Sequence, residues 1–142
     1  MSYFRYICLI MENYLERSNL RYAVIGGGSW ATALVKLMLN NCREIFWYIR
    51  SQEVIDAIIS TGHNPSYLQG VQFDTSRITF TNDINNAVES ADVLLFCIPS
   101  AYFPAEASKI RSLKDKFVIS AIKGIIPGDN ITIAEYFHRI HK

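Results

Sequence analysis

Six consecutive residues, Gly26-Gly27-Gly28-Ser29-Trp30-Ala31, fit the pattern G-x-G-x-x-G/A. Such a turn does its chemistry through the backbone. Its first glycine allows a tight turn, its second lets a ligand approach the main chain, and a small third residue lets the next helix pack against its strand. The first N–H groups of a helix opening at Ser29 would face an anion, and the helix dipole favours negative charge there. The pyrophosphate of a dinucleotide is the ligand that this suits. A glycine-rich turn with no ligand is the plainer alternative. However, the turn follows an apolar strand, Tyr22-Ala-Val-Ile25, and opens a helix, which is the context the motif requires.

A second group of residues bears on which dinucleotide. An acid about 20 residues past the motif would hold the adenosine ribose and favour NAD. The second strand instead ends Tyr48-Ile49-Arg50-Ser51. Arg50 and Ser51 could contact a 2′-phosphate, which leans toward NADP, although a solvated arginine at a strand end is also an ordinary feature. Pro99 and Ser100 end a later apolar run; they either touch the nicotinamide half of the cofactor or simply stop the strand.

The elements that must hold these residues follow from hydrophobic periodicity. Strands are expected at Tyr22–Ile25, Ile45–Ile49, Ile78–Thr81, Val93–Ile98 and Phe117–Ile122. Trp30, Ala33, Leu34, Leu37 and Met38 recur at helical spacing over about Ser29–Asn40, and a second helix is expected at about Gln52–Ser60. Thr61–Ser76 reads as a long loop. Asp83 caps a third helix, a fourth has Pro104 near its start and runs to about Leu113, and Asn130 caps a last one carrying Ile133, Ala134, Phe137 and Ile140. Strict alternation of five strands with helices predicts an α/β, doubly wound parallel sheet of Rossmann type, in the order 3-2-1-4-5. The aromatic run Phe46-Trp47-Tyr48 belongs to strand core and sheet surface.

Composition narrows the function classes. The 142 residues suit one domain, and 50% are hydrophobic, enough for a core. Fourteen basic residues against thirteen acidic ones, with no basic cluster, argue against nucleic-acid binding. The cysteines, Cys8, Cys42 and Cys97, are odd in number and lack zinc-ligand spacing, which suits a reduced, cytoplasmic protein with no metal site. His63, His138 and His141 have no carboxylate or serine at a spacing that suggests a triad or metal site. Residues 1–20 read as an N-terminal extension. Their apolar run, Tyr6–Met11, is too short for a signal core, and no stretch approaches the roughly 20 apolar residues of a membrane span.

The glycine turn has company. Gly26-Gly-Gly-Ser-Trp-Ala-Thr-Ala-Leu34 resembles the opening signature of the glycerol-3-phosphate dehydrogenases, G-x-G-S-W-G-T-A-L, and a generic turn needs neither Trp30 nor Thr32. In order along the chain, Asn64-Pro-Ser-Tyr-Leu-Gln-Gly70 is similar to that family's N-x-x-Y-L-P-G loop, Cys97-Ile-Pro-Ser100 to its V-P-S, and Ser120-Ala-Ile-Lys-Gly-Ile125 to its lysine-glycine segment. Ala31, Gln69 and Ser66 depart from the usual residues without removing a role.

The resemblance implies a dinucleotide-binding domain over residues 21–142, binding NAD or NADP. In it, Gly26, Gly27, Gly28, Ser29 and Trp30 lie against the pyrophosphate, and Arg50 and Ser51 lie at the adenosine ribose. Tyr67 approaches from its loop, Pro99 follows the fourth strand, and Lys123 sits beside the nicotinamide and the substrate. It further implies hydride transfer between NAD(P)H and dihydroxyacetone phosphate, giving glycerol 3-phosphate for phospholipid synthesis. An ammonium at Lys123 would stabilise the charge that develops on the substrate carbonyl. Enzymes of this family are more than twice as long. They carry a helical second domain that supplies a general-acid lysine and the dimer contact, so this truncated chain is expected to be inactive alone. Two other readings remain: a stand-alone dinucleotide-binding or redox-sensing module, and the cofactor domain of a related dehydrogenase, which Trp30 and the Tyr67-Leu68 pair disfavour.

Overall fold

The computed structural model describes residues 19–140; residues 1–18 of the expected N-terminal extension, including Cys8, and residues 141–142, including His141, lie outside the described residues. Five parallel strands form the central sheet: β1 (Tyr22–Ile25), β2 (Ile45–Tyr48), β3 (Ile78–Thr81), β4 (Val93–Phe96) and β5 (Phe117–Ser120). Their order is β3-β2-β1-β4-β5, the expected doubly wound arrangement. β1 lies at the centre, with Ile25 level with both Tyr48 and Phe96. The reversal of strand order between β1 and β4 opens a crevice at the C-terminal ends of these strands, where such sheets bind ligands.

Alternation along the strands divides the core in two. Val24, Ile45, Trp47, Ile49 and Cys97 pack on one face, under α1 (Ser29–Met38) and α2 (Gln52–Thr61). Ala23, Ile25, Tyr48, Leu94, Phe96 and Ile98 pack on the other. α3 (Ile84–Ser90), α4 (Phe103–Ala107) and α5 (Ile133–Ile140) cover that second face. Side chains on both faces of β1, β2 and β4 are mostly buried, so these inner strands read as continuous apolar runs rather than alternating ones. Burial raises the Cys97 thiol to about 11, so it behaves as a small hydrophobe.

Distant polar groups finish the helices. The Arg77 guanidinium donates to the carbonyls of Leu39 and Cys42, both at 2.6 Å, beyond the end of α1. Lys116 Nζ donates to the Ala91 carbonyl at 2.7 Å, after α3. Asp83 caps α3 as expected, its Oδ1 accepting from the Asn85 N–H at 2.9 Å.

Three expectations need correction. α4 stops at Ala107 rather than near Leu113, because the Asn85 side chain takes the next backbone groups. Its amide donates to the Lys109 carbonyl, and its carbonyl accepts from the Arg111 N–H, both at 3.0 Å. Asn130 does not cap the last helix; it sits in the left-handed region at φ 52°, inside a short antiparallel hairpin of β6 (Ile125–Ile126) and β7 (Ile131–Thr132). The cap is Thr132, whose Oγ1 accepts from the Glu135 N–H while the Glu135 carboxylate accepts from the Thr132 N–H, a reciprocal capping box. The strand expectations at Ile49, Cys97–Ile98 and Ala121–Ile122 run one or two residues past the ladder.

Candidate functional site

The glycine turn joins β1 to α1, and its three glycines stand in different surroundings. Gly26 has φ +134°, and a Cβ there would stand 2.9 Å from the Cys97 carbonyl oxygen. Backbone conformation and space both demand glycine. A Cβ on Gly27 would meet the Ile49 side chain at 2.9 Å. Gly28 is unstrained, at φ −79°, and nothing lies within 4 Å of where its Cβ would be. The fold leaves that space open. Ala31 is fully buried against the strand, as a small third residue should be.

Hydrogen bonds fix the turn. The Trp47 indole N–H donates to the Gly26 carbonyl at 2.7 Å, and the Gly26 N–H donates to the Tyr48 carbonyl at 3.0 Å. Thr32 Oγ1 donates to the Gly28 carbonyl at 2.8 Å. These bonds occupy the Gly26 and Gly28 carbonyl oxygens. α1 itself begins on Gly28 with no side chain capping it, whereas Ser51 Oγ accepts from the Val54 N–H and caps α2.

A cavity of about 340 Å³ lies over this turn. Gly26, Gly27, Gly28, Arg50, Ser51, Tyr67 and Pro99 all line it, so seven residues singled out in the sequence meet in one place. Ser29 and Trp30 open α1 beside it with exposed side chains but do not line it. Lys123 is exposed past the end of β5, on the same edge of the sheet and also outside the lining.

Sequence reasoning gave no role to several of the walls. Asn64 is fully buried and uses both ends of its amide. It donates to Thr32 Oγ1 at 3.0 Å and the Gly27 carbonyl at 3.4 Å, and accepts from the N–H groups of Ser66 and Tyr67 at 3.0 and 3.1 Å. It therefore ties the Tyr67 loop to the glycine turn, and Thr32 is its partner within α1. Glu106 is also buried, accepting from the Tyr48 hydroxyl at 2.5 Å and from Lys109 Nζ at 2.8 Å. Burial works to raise the Glu106 carboxyl, but those two donors outweigh it and hold the group ionised, below its ordinary value. Burial, and then the Glu106 carboxylate, push Tyr48 well above the ordinary phenol value, so its hydroxyl stays a donor.

The site can accept an anion at the uncapped start of α1 and a second negative group at Arg50. Ile49 and Val54 add apolar lining to the cavity. Comparison with known proteins points the same way. The family described as NAD-dependent glycerol-3-phosphate dehydrogenase N-terminus matches residues 21–142. The glycerol-3-phosphate dehydrogenase [NAD(P)+] of Nitratidesulfovibrio vulgaris strain DP4 is 32% identical over 121 residues, 82% of this chain and 36% of that protein. That of Myxococcus xanthus is 30% identical over 118 residues, 82% of this chain and 35% of that protein. The chain thus spans about a third of these relatives. Among solved structures, Plasmodium falciparum glycerol-3-phosphate dehydrogenase aligns with a TM-score of 0.72 and 25% identity, over 89% of this chain and 39% of that one. An imine reductase from Pseudomonas aligns at 0.60 with 15% identity, over 87% of this chain and 38% of that one, a likeness of fold alone. The chain belongs to the N-terminal, NAD-binding domain family of the glycerol-3-phosphate dehydrogenases.

Proposed function

We propose that the cavity takes a nicotinamide dinucleotide, NADP in preference to NAD, as the cofactor half of an enzyme interconverting dihydroxyacetone phosphate and glycerol 3-phosphate. The observation that carries the reading is the open space at Gly28, where a Cβ would have no neighbouring atom within 4 Å and a bound pyrophosphate would meet the backbone. Next to it the uncapped start of α1 presents N–H groups and the positive end of the helix dipole. Arg50 is exposed at the cavity rim, where its guanidinium can pair with a 2′-phosphate in two parallel bonds. Ser51 holds the first turn of α2 and so fixes the backbone beside Arg50.

Tyr67 closes the cavity from the loop that Asn64 anchors. Lys123 follows β5 on the ligand-binding edge of the sheet, where its ammonium would orient a ketone and stabilise the negative charge developing on its oxygen. The bound cofactor would supply the hydride. The phosphorylated substrate and the proton donor are read from the relatives' activity, of which this chain spans the cofactor part.

Calorimetric titration with NADPH and NADH tests the assignment. The wild-type chain should bind NADPH more tightly, and Arg50→Ala should weaken NADPH by about tenfold or more while leaving NADH unchanged. Equal binding of both dinucleotides, unaffected by Arg50→Ala, would overturn the NADP preference.

A further inference from the structure

Glu106 is the one buried carboxylate among the described residues, and it lines the cavity. Its two known donors do not exhaust it. Oε2 accepts from Tyr48 and Oε1 from Lys109, while each carboxylate oxygen can accept two hydrogen bonds. Both partners are donors, so the carboxylate presents an edge that can only accept. It does so within electrostatic reach of Arg50.

That position matters on the reading given above, on which this inference rests. If Arg50 holds a 2′-phosphate, the purine hangs from the neighbouring carbon of the same ribose and cannot lie far from it. The part of the cavity wall adjoining Arg50 on the β4 side is made by Ile98, Pro99, Tyr102 and Glu106. Ile98 and Pro99 offer apolar surface, and Tyr102 an exposed ring. Glu106 is the ionised group in that wall. Buried polar groups discriminate sharply, because a ligand that fails to match them leaves them unpaired or repels them.

We propose that Glu106, held by Tyr48 and Lys109, reads the base of the dinucleotide, admitting a 6-aminopurine and disfavouring a 6-oxopurine. The exocyclic amino group of adenine donates to the free lone pair of the carboxylate. The oxygen at the same position of hypoxanthine brings an acceptor against an acceptor. Lys109 neutralises the carboxylate charge from outside, so the phosphates entering beside it are not repelled. Tyr48 acts as a positioning residue; its hydroxyl fixes the carboxylate from the β2 side.

The test compares NADH with its hypoxanthine analogue, nicotinamide hypoxanthine dinucleotide in reduced form, by calorimetry on the full chain. Wild-type protein should bind NADH about tenfold more tightly, as one hydrogen bond to a charged group implies. In Glu106→Gln the amide keeps an acceptor for Tyr48 and gains a donor for the 6-oxo group, so the ratio should collapse toward one. Tyr48→Phe, which keeps the ring in place, should lower the ratio without abolishing NADH binding. Equal affinities in the wild-type chain overturn the proposal while leaving the dinucleotide reading standing. An undiminished preference for NADH in a folded Glu106→Gln also overturns it. Failure of the wild type to bind either of these compounds or NADPH overturns the dinucleotide reading itself, and with it this inference.

Discussion

Gly26 and Gly28 are two residues apart and should respond in opposite ways to the same small change. Alanine at Gly26 meets the Cys97 carbonyl and a positive φ at once, and should destabilise the fold by about 2 kcal/mol or more. Alanine at Gly28 meets nothing, so its midpoint of thermal unfolding should stay near that of the wild type. Its methyl group nevertheless stands where the ligand must approach, so dinucleotide affinity should fall sharply. Melting curves and titrations on the two variants separate a glycine required by the fold from one required by the ligand. The glycine motif was legible because its residues are contiguous in the sequence, between an apolar strand and a helix. Glu106 was not: nothing in Phe103-Pro-Ala-Glu-Ala107 tells that a carboxylate there will be buried against Tyr48, 58 residues away.

At the scale of elements, the Thr32–Asn64 bond explains why the glycine turn and the Tyr67 loop belong together. Asn64→Ala would leave Thr32 without its donor and the N–H groups of Ser66 and Tyr67 without their acceptor, a loss of about 2 kcal/mol. Faster amide exchange at Tyr67, together with a lower unfolding midpoint, is the expected result. An unchanged Tyr67 amide would show that other contacts hold the loop. The strands and first three helices were readable from periodicity, since each buries a face fixed by its own spacing. The end of α4 and the start of α5 were not. Asn85 ends one from another element, and a hairpin of two-residue strands delays the other until Thr132. Both depend on partners that periodicity does not reveal.

At the scale of the molecule, β1 and β4 are locked together at their starts. Asp92 accepts from the Arg21 backbone N–H at 2.9 Å and from its guanidinium at 3.3 Å, while the Asp92 N–H donates to the Arg21 carbonyl at 2.8 Å. The Arg21 side chain holds the Asp92 carboxyl below its ordinary range, against the opposing effect of partial burial. A carboxyl lowered in the folded state adds stability that is complete above its unfolded value near 4. That stability is lost as pH falls through the lower folded value. Melting temperatures should therefore drop below about pH 4, and Asp92→Asn should be less stable near neutrality, by about 1 kcal/mol, with a shallower acid decline. The sheet order itself was legible, because alternating strands and helices leave few right-handed arrangements. The crevice that follows from that order gathered Arg50, Tyr67 and Pro99 over the glycine turn.

The most direct test of the central claim is a titration of the 142-residue chain with NADPH, read by calorimetry and by tryptophan fluorescence, beside the Gly28→Ala variant. Trp30 opens α1 next to the cavity, and Trp47 holds the turn through the Gly26 carbonyl, so both indoles are placed to report an occupant. Saturable binding by the wild type, with quenching, and its loss in a Gly28→Ala variant that melts normally, is the predicted result. A folded wild-type chain that binds no dinucleotide, or a Gly28→Ala variant that binds as well as the wild type, would contradict it.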